Sequence, residues 1–307
     1  MTKKLKKRII SKLEVKGPNL IKGVMFDGLR SLGLAHNFST KYYEEGIDEL
    51  IYQDVIASLY LVEPKYDQIK KISNNTFIPF TVAGGITKLD QIKKIFDCGA
   101  DKVAINTGAI NDVKILENAA KEFGSQSVVS SIEVNSYFDY SSNQKVRELW
   151  IKNGKEKTDK NFIDWIKQVQ DLGAGEIIIT MINLDGLGKG PDLDIINEID
   201  NIVKVPLIYS GGIGSINDVE KIFITTNVDA VCAASLFHYY YYNNFDINPF
   251  KNFNKLRCGK NIDIGNYEFI NNGYGDVKYF YVKPASITQV KKKLISKNIN
   301  IRVTDEK

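Results

Sequence analysis

Short runs of apolar and β-branched residues alternate along the chain with longer amphipathic stretches that have the spacing of helices. Strands separated by helical segments predict a parallel sheet, and eight such strands most simply close into a barrel. We therefore expect an α/β fold, a (β/α)8 TIM barrel, with one domain over residues 1–307. The eight strand-like runs are RIISKLEV, DELIYQD, IPFTVAG, DKVAIN, SVVSSIEV, EIIITMI, VPLIYSG and DAVCAA.

The two halves of the chain resemble each other. The segment IPFTVAGGITKLDQIKKIF, which starts at Ile78, aligns with VPLIYSGGIGSINDVEKIF, which starts at Val205. At the same spacing, GIDELIY from Gly46 aligns with GAGEIII from Gly173. Internal similarity at a fixed spacing marks a duplicated unit. The barrel is therefore predicted to consist of two duplicated half-barrels.

In each half a Gly-Gly pair ends one strand, and small or polar residues end the next. Glycines let the backbone approach an anion closely, and N–H groups at a following helix N-terminus point towards it, so both loops are candidate phosphate sites. A single Gly-Gly pair is often only a tight turn, but two at equivalent positions predict a substrate with two phosphate groups. The candidate residues are Gly84, Gly85, Asn106 and Thr107 in the first half, and Gly211, Gly212, Ala234 and Ser235 in the second.

Two carboxylates stand where barrel enzymes carry out their chemistry. Glu14 closes the first strand and Glu133 closes the fifth, so the duplicated frame places them opposite each other at the C-terminal mouth. Such a pair can act as general acid and general base if their environments separate the two pKa values. The alternative is that each is a solvated charge at the end of a strand.

Composition narrows the possible chemistry. The apolar content is 43% and the charged content 25%, without an apolar stretch of bilayer length, which predicts a soluble protein. The net charge of +4 is spread along the chain, so we expect no nucleic-acid partner. The two histidines, His36 and His238, lack clustered partners and are read as structural, and the three cysteines are far apart. We therefore expect no metal site, no cofactor and a reducing cytoplasm.

These motifs resemble the cyclase subunit of imidazole glycerol phosphate synthase. The resemblance runs from about Lys7 to Phe237 and resumes in SITQVKKKLISKNINIRV near the end. It implies an enzyme of histidine biosynthesis that takes ammonia from a separate glutaminase subunit and uses it on a bisphosphorylated ribulosyl amino-imidazole precursor. The segments that carry the resemblance are RII, LIKG, GIDELI, TVAGGI, GADKVAINT, FGSQSVV, GAGEIIIT and SGGIGS.

The resemblance implies roles for individual residues. The two catalytic aspartates of the family fall on Glu14 and Glu133, so each position keeps a carboxylate and gains a methylene. A loop lysine that contacts substrate falls on Lys22, and an aspartate-rich segment after the sixth strand keeps Asp185 and Gly186. The family's phosphate contacts fall on the glycines and small or polar residues of the two candidate loops.

The exchange of aspartate for glutamate at both catalytic positions leaves alternatives open. A carboxylate displaced by about an ångström can slow a reaction about a hundredfold. The first alternative is a paralogue that supplies nitrogen to a sugar in surface polysaccharide biosynthesis. The second is a non-catalytic barrel that serves as a scaffold for a glutaminase.

At the N-terminal end of the barrel, the family has a charged gate through which ammonia enters. Its arginine, two glutamates and lysine fall on Arg8, Glu49, Glu176 and Lys102, each at the start of a predicted strand. Taken alone, such a set would be structural ion pairs, because buried charges must be paired. The resemblance instead implies an ammonia gate and a glutaminase subunit docked on this face.

A long segment before the last helix departs from the family. Residues 239–285 stand where the family has a much shorter connection. Their aromatic alternation around NNG predicts a hairpin beside the catalytic mouth. Two interpretations are open: an insertion tolerated at the surface, or a lid or partner surface that reshapes substrate choice.

Overall fold

The computed structural model describes residues 6–245 and 281–303. Its strands are β1 (Arg8–Lys16), β2 (Asn19–Val24), β3 (Asp27–Leu34), β4 (Glu49–Asp54), β5 (Phe80–Ala83), β6 (Lys102–Ile105), β7 (Val128–Asp139), β8 (Gln144–Ile151), β9 (Glu156–Lys157), β10 (Glu176–Met181), β11 (Leu207–Ser210) and β12 (Ala230–Ala233).

A closed parallel barrel forms the centre of the molecule. Its eight strands follow the order β1, β4, β5, β6, β7, β10, β11 and β12, and β12 pairs again with β1. These are the eight runs identified in the sequence, so the prediction of a (β/α)8 barrel is confirmed. The β-branched residues that dominate these runs suit strands that are buried on both faces.

Helices surround the barrel, and capping side chains define where several of them begin. Ser286 Oγ accepts a hydrogen bond from Gln289 N at 3.0 Å, and Gln289 Oε1 accepts one from Ser286 N at 2.9 Å. This capping box satisfies N–H groups that the helix itself leaves unpaired. The helices are α1 (Ala35–Glu44), α2 (Ala57–Tyr60), α3 (Tyr66–Ser73), α4 (Leu89–Asp97), α5 (Thr107–Asn111), α6 (Lys114–Phe123), α7 (Phe162–Asp171), α8 (Leu193–Ile199), α9 (Ile216–Thr225), α10 (Ser235–Asn244) and α11 (Ile287–Ser296).

The barrel contains two separate apolar regions. The larger core lies between the strands and the helices, where burying each large aliphatic side chain contributes about 1.5–3 kcal/mol. The second is a small apolar ring inside the barrel, to which every barrel strand contributes at least one side chain because alternate residues face inward. The apolar ring consists of Ile10, Ile51, Ala83, Ala104, Val129, Ile178, Ile208, Ala230 and Cys232.

Two antiparallel hairpins beside the barrel were missed by the sequence analysis. Strands β2 and β3 form the first, directly after β1, and β7 runs on past the barrel and returns as β8 to form the second. The second hairpin has a signal in the apolar and polar residues of QKVRELWI. The first turns at Met25 and Phe26, whose φ values of 51° and 62° are uncommon for residues other than glycine, so its turn has no usual sequence signal. These hairpins matter because they cover the mouth of the barrel.

The predicted insertion lies mostly outside the described residues, as does the hairpin predicted within it. At its beginning, residues 239–244 complete helix α10. At its end, Tyr281 N donates to Leu187 O at 3.0 Å and Lys283 N donates to Gly214 O at 2.6 Å. The returning chain therefore joins the rim of the C-terminal mouth. No helix in the described part of the chain is long and apolar enough to cross a bilayer.

Candidate active site

Glu14 lies near the C-terminal end of β1, with its carboxylate buried in the mouth of the barrel. Lys22 Nζ donates to Glu14 Oε2 at 2.6 Å and to Asp185 Oδ2 at 2.7 Å. Burial opposes a charge on Glu14, but Lys22 and Lys12 outweigh this effect and hold its pKa below the ordinary value. Burial raises the pKa of Asp185, and Lys22 opposes that rise. Glu14 is therefore ionised at neutral pH and held by Lys22.

The hairpin of β2 and β3 brings Lys22 into this cluster. It folds over the barrel mouth and docks on the loop that follows β10, where Met25 N donates to Asp185 O at 2.9 Å. Gly186 has a φ of 73°, and a Cβ at this position would collide with the carbonyl of Gly23. Only glycine fits such a left-handed position at so close an approach. The structure thus explains why Asp185 and Gly186 occur together.

Glu133 occupies the opposite wall, on β7. Its Oε2 accepts a hydrogen bond from Gly154 N at 2.8 Å, and the side chain of Asn106 also bonds to it. Burial raises the pKa of Glu133 to about 7, and Gly154, Lys12 and Asn106 each limit the rise. At pH values below about 7, Glu133 keeps its proton while Glu14 is ionised. The two environments therefore separate an acid from a base.

A cavity of about 180 Å³ brings Glu133 together with the first Gly-Gly loop. This cavity also includes Asp54, which sequence analysis did not single out and whose Oδ2 has no hydrogen-bond partner within residues 6–245 and 281–303. The other predicted residues that line it are Gly84, Gly85, Asn106 and Thr107.

The second Gly-Gly loop repeats the backbone of the first. Gly84 and Gly85 have φ values of 105° and 71°, and Gly211 and Gly212 have 106° and 77°. A Cβ would collide with a carbonyl of the preceding barrel strand at Gly84 and would press on the Met181 carbonyl at Gly211. These positions need glycine for the same reason in both halves.

The residues that follow each loop are also equivalent. Asn106 (φ −115°, ψ −85°) and Ala234 (φ −117°, ψ −74°) each precede a helix, which starts at Thr107 and Ser235 respectively. The second loop is covered by the backbone, since Gly190 N donates to the carbonyl of its second glycine at 2.8 Å. The first loop instead faces the cavity described above.

Four charged residues form a closed ring at the N-terminal end of the barrel. Arg8 donates to Glu49 at 2.7 Å and to Glu176 at 2.5 Å, and Lys102 donates to the same two carboxylates at 3.0 and 2.8 Å. Burial opposes the charge on Arg8, but Glu176 and Glu49 outweigh it and raise its pKa. The structure therefore brings together all four residues assigned to the gate. The apolar ring lies directly above this charged ring.

Three features of the site were not identified in the sequence. Lys12 is buried between the apolar ring and Glu14, and the inward alternation from Arg8 along β1 could have revealed it. Asp54 ends β4 beside the first Gly-Gly loop. The N–H of Gly154 reaches Glu133 because β8 returns antiparallel to β7 and the chain turns again after β8, a contact between residues 21 positions apart.

The two histidines lie on helices α1 and α10. His238 Nδ1 lies 2.6 Å from Tyr42 Oη, and burial lowers the pKa of His238 to about 3. Desolvation also lowers the pKa of His36, which lies on α1. Both are neutral near pH 7, in keeping with a structural role.

The fold and the site together define a class of protein: a duplicated (β/α)8 barrel with a carboxylate pair at one end and a charged ring at the other. The chain belongs to the histidine biosynthesis protein family, whose model matches residues 8–243. It is 41% identical over 215 residues to the imidazole glycerol phosphate synthase subunit HisF of Legionella pneumophila, covering 69% of this chain and 97% of the relative. The subunit HisF of Streptococcus mutans is 38% identical over 235 residues, covering 76% and 92% respectively.

Proposed function

We propose that this chain is the cyclase-type subunit of imidazole glycerol phosphate synthase and acts in histidine biosynthesis. It uses ammonia from a glutaminase partner on a bisphosphorylated ribulosyl amino-imidazole precursor. The observation that carries the proposal is the presence, within one barrel, of a carboxylate pair with separated pKa values and a charged ring at the opposite end. The relatives described above favour this function over a polysaccharide paralogue or a scaffold.

The carboxylate pair supplies the proton transfers that the reaction needs. Addition of ammonia and closure of a ring require one group to accept a proton and another to donate one. Glu14, ionised beside Lys22, is the general base. Glu133, with its raised pKa of about 7, is the general acid. Lys22 and Asp185 hold the base in place.

Two phosphate groups explain the two Gly-Gly loops. The first loop opens into the cavity with Glu133, so one phosphate binds there while the reacting part of the substrate lies beside the acid. The second loop, with Gly211, Gly212 and Ser235, binds the other phosphate across the mouth. Backbone N–H groups are the expected ligands in both loops.

Ammonia enters from the opposite end, through the charged ring and then the apolar ring. An exposed aromatic residue supports the docking of the glutaminase on this N-terminal face. Phe77 lies just before β5, is 78% exposed and packs edge to face with Tyr43 at 6.0 Å. Exposed aromatic side chains of this kind are typical anchors of protein interfaces.

A steady-state assay tests the proposed function. The purified chain is given the imidazole-precursor bisphosphate with an ammonium salt over a range of pH, because alkaline pH supplies more free ammonia and lower pH keeps the proton on Glu133. We expect turnover by the parent, and a loss of about 10²–10⁴-fold in Glu14→Gln and Glu133→Gln. Glu14→Asp and Glu133→Asp show whether the site is tuned to the longer side chain. A folded parent without turnover would reject the proposal.

A further inference from the structure

The proposed chemistry leaves one buried charge unused. Lys12 lies on β1 between Ile10 of the apolar ring and the base Glu14, and its side chain is 2% exposed. Its Nζ lies 3.5 Å from Glu14 Oε1 and 5.7 Å from the centroid of the Phe26 ring. Burying a lysine ammonium is costly. A charge kept at this position, between the apolar ring and the reacting groups, needs a reason.

Lys12 points into the barrel interior, because alternate residues of β1 face inward and Ile10, two residues before it, belongs to the apolar ring. It lowers the pKa of Glu14 on its own strand and also that of Glu133 on β7. Strands β1 and β7 are four positions apart in the ring of eight, so they form opposite walls. Because its side chain is buried on the inner face of β1, Lys12 extends from this wall towards the opposite one. Lys12 therefore stands across the route from the apolar ring to the carboxylates.

The other groups around Lys12 belong to several elements. Its charge also acts on Asp185 after β10, Cys232 on β12 and His238 on α10. Burial raises the pKa of Cys232 to about 12 and lowers that of His238 to about 3, so both are neutral near pH 7. Apart from Lys22, the charges that face Lys12 are therefore carboxylates.

A cluster of carboxylates would capture the wrong form of the nitrogen donor. Without Lys12, Glu14 and Asp185 would share the one positive charge of Lys22, and the uncompensated buried negative charge would attract a small cation such as ammonium. An ammonia molecule that took a proton there would lose its lone pair and could no longer attack a carbonyl carbon. A fixed positive charge at the same place opposes a second cation but does not oppose neutral ammonia.

We propose that Lys12 is a specificity-determining residue that admits neutral ammonia to the carboxylate cluster and excludes the ammonium ion. The inference rests on the proposed function, since it assumes that ammonia is the nitrogen donor and arrives from the apolar ring. Lys12 acts through its charge and forms no bond to the substrate. Lys22 does not replace it, because its ammonium is already held between Glu14 and Asp185.

A binding measurement without substrate tests the inference directly. Ammonium chloride is titrated calorimetrically into the full-length parent, Lys12→Met, Lys12→Gln and Lys12→Arg, with sodium chloride at matched ionic strength as the reference. We expect no saturable ammonium binding by the parent or by Lys12→Arg. The two neutral variants should bind ammonium, and adding Glu14→Gln to Lys12→Met should abolish that binding. Ammonium binding by the parent would overturn the inference, as would its absence in a folded neutral variant.

Kinetics with substrate give a second measurement, one that would not change if Lys12 had only a structural role. In the parent, the KM for free ammonia should stay constant as the pH changes, because ammonium does not compete. In Lys12→Met, bound ammonium increases in proportion to free ammonia at a given pH, so the apparent KM and kcat should fall together, by about tenfold near neutral pH as for a change of about one pKa unit, with kcat/KM unchanged, and both should return towards the parent values at alkaline pH. The pKa of Glu133 should rise in the same variant, which shifts the decline of kcat to higher pH. This shift does not change KM, so the two effects can be distinguished. An unchanged KM would reject the role.

Failure of the inference can be told apart from failure of the proposed function. A parent that does not turn over the bisphosphate would reject the proposed function. The calorimetric comparison needs no substrate and still decides whether Lys12 excludes ammonium.

Discussion

Lys22 Nζ lies 2.6 Å from Glu14 Oε2, and both side chains are buried although the residues sit on different strands. The contact exists because β2 turns back antiparallel to β1, with Val15 paired to Leu20. The hairpin that covers the mouth thus also holds the candidate base.

Removing Lys22 should destabilise the protein strongly. In Lys22→Met, Glu14 and Asp185 lose the cation that pairs them, so the free energy of unfolding should fall by about 3–5 kcal/mol. The pKa of Glu14 should rise for the same reason. Urea denaturation measures the first effect. Lys121→Met, which breaks an exposed pair with Glu117, is the control and should change little. A similar small change in Lys22→Met would contradict the ion-pair cluster.

The protonation of Glu133 should limit the rate on the alkaline side. Its raised pKa of about 7 means that the acid form is lost as the pH rises past that value, so kcat should decline with an apparent pKa near 7. A pH–rate profile with saturating ammonia at each pH measures this. Glu133→Gln should lose both the activity and the decline of kcat near pH 7. The exposed Glu117→Gln should keep both. A parent profile that stays flat through pH 7 would argue against Glu133 as the acid.

His238 should make the protein less stable in acid. The pKa of His238 is about 3 in the folded chain and 6.5 in the unfolded one, so only the unfolded state binds its proton between those values. Its contribution is therefore present above pH 6.5 and lost as the pH falls. Relative to His238→Asn, the parent should lose at most about 1.4 kcal/mol of stability per pH unit on acidification. Equal pH dependence in both proteins would show that His238 is protonated when folded.

Disrupting the charged ring should reduce glutamine-dependent turnover more than turnover with added ammonia. Lys102→Met leaves Glu49 and Glu176 with Arg8 alone and alters the entrance without touching the carboxylate pair. With the glutaminase partner present, we expect glutamine-dependent turnover to fall several-fold or more while turnover with ammonium salt is largely kept. The ratio of the two rates is the measurement. Equal loss in both assays would assign the ring a structural role only.

Phe77 should anchor the glutaminase. Its side chain is 78% exposed on the N-terminal face, so Phe77→Ser should leave the fold intact and weaken binding of the partner by about 2 kcal/mol. Calorimetric titration of the two subunits measures the affinity. Tyr140→Ser is the matched control, because this side chain is 88% exposed but lies on the hairpin beyond the opposite end. Weaker binding in the control instead would place the partner at the mouth.

The sequence by itself determined the barrel and its duplication. Hydrophobic runs report burial directly, since each barrel strand is covered on both faces, and the repeated glycines report backbone positions with positive φ. Alternation along β1 also brings Glu14 inside, because successive side chains face opposite sides of a strand. These signals are local, so they can be read without the fold.

Only the tertiary structure decided the charge states of the site residues and the groups that contact them. The pKa of Glu133 is raised by burial and limited by Gly154, which the turn after β8 brings back onto β7. The burial of Lys12 follows from the closure of β12 onto β1, which encloses the inward-facing side chains of the barrel. Burial and long-range contacts set these properties, and neither is encoded in any short stretch of the chain.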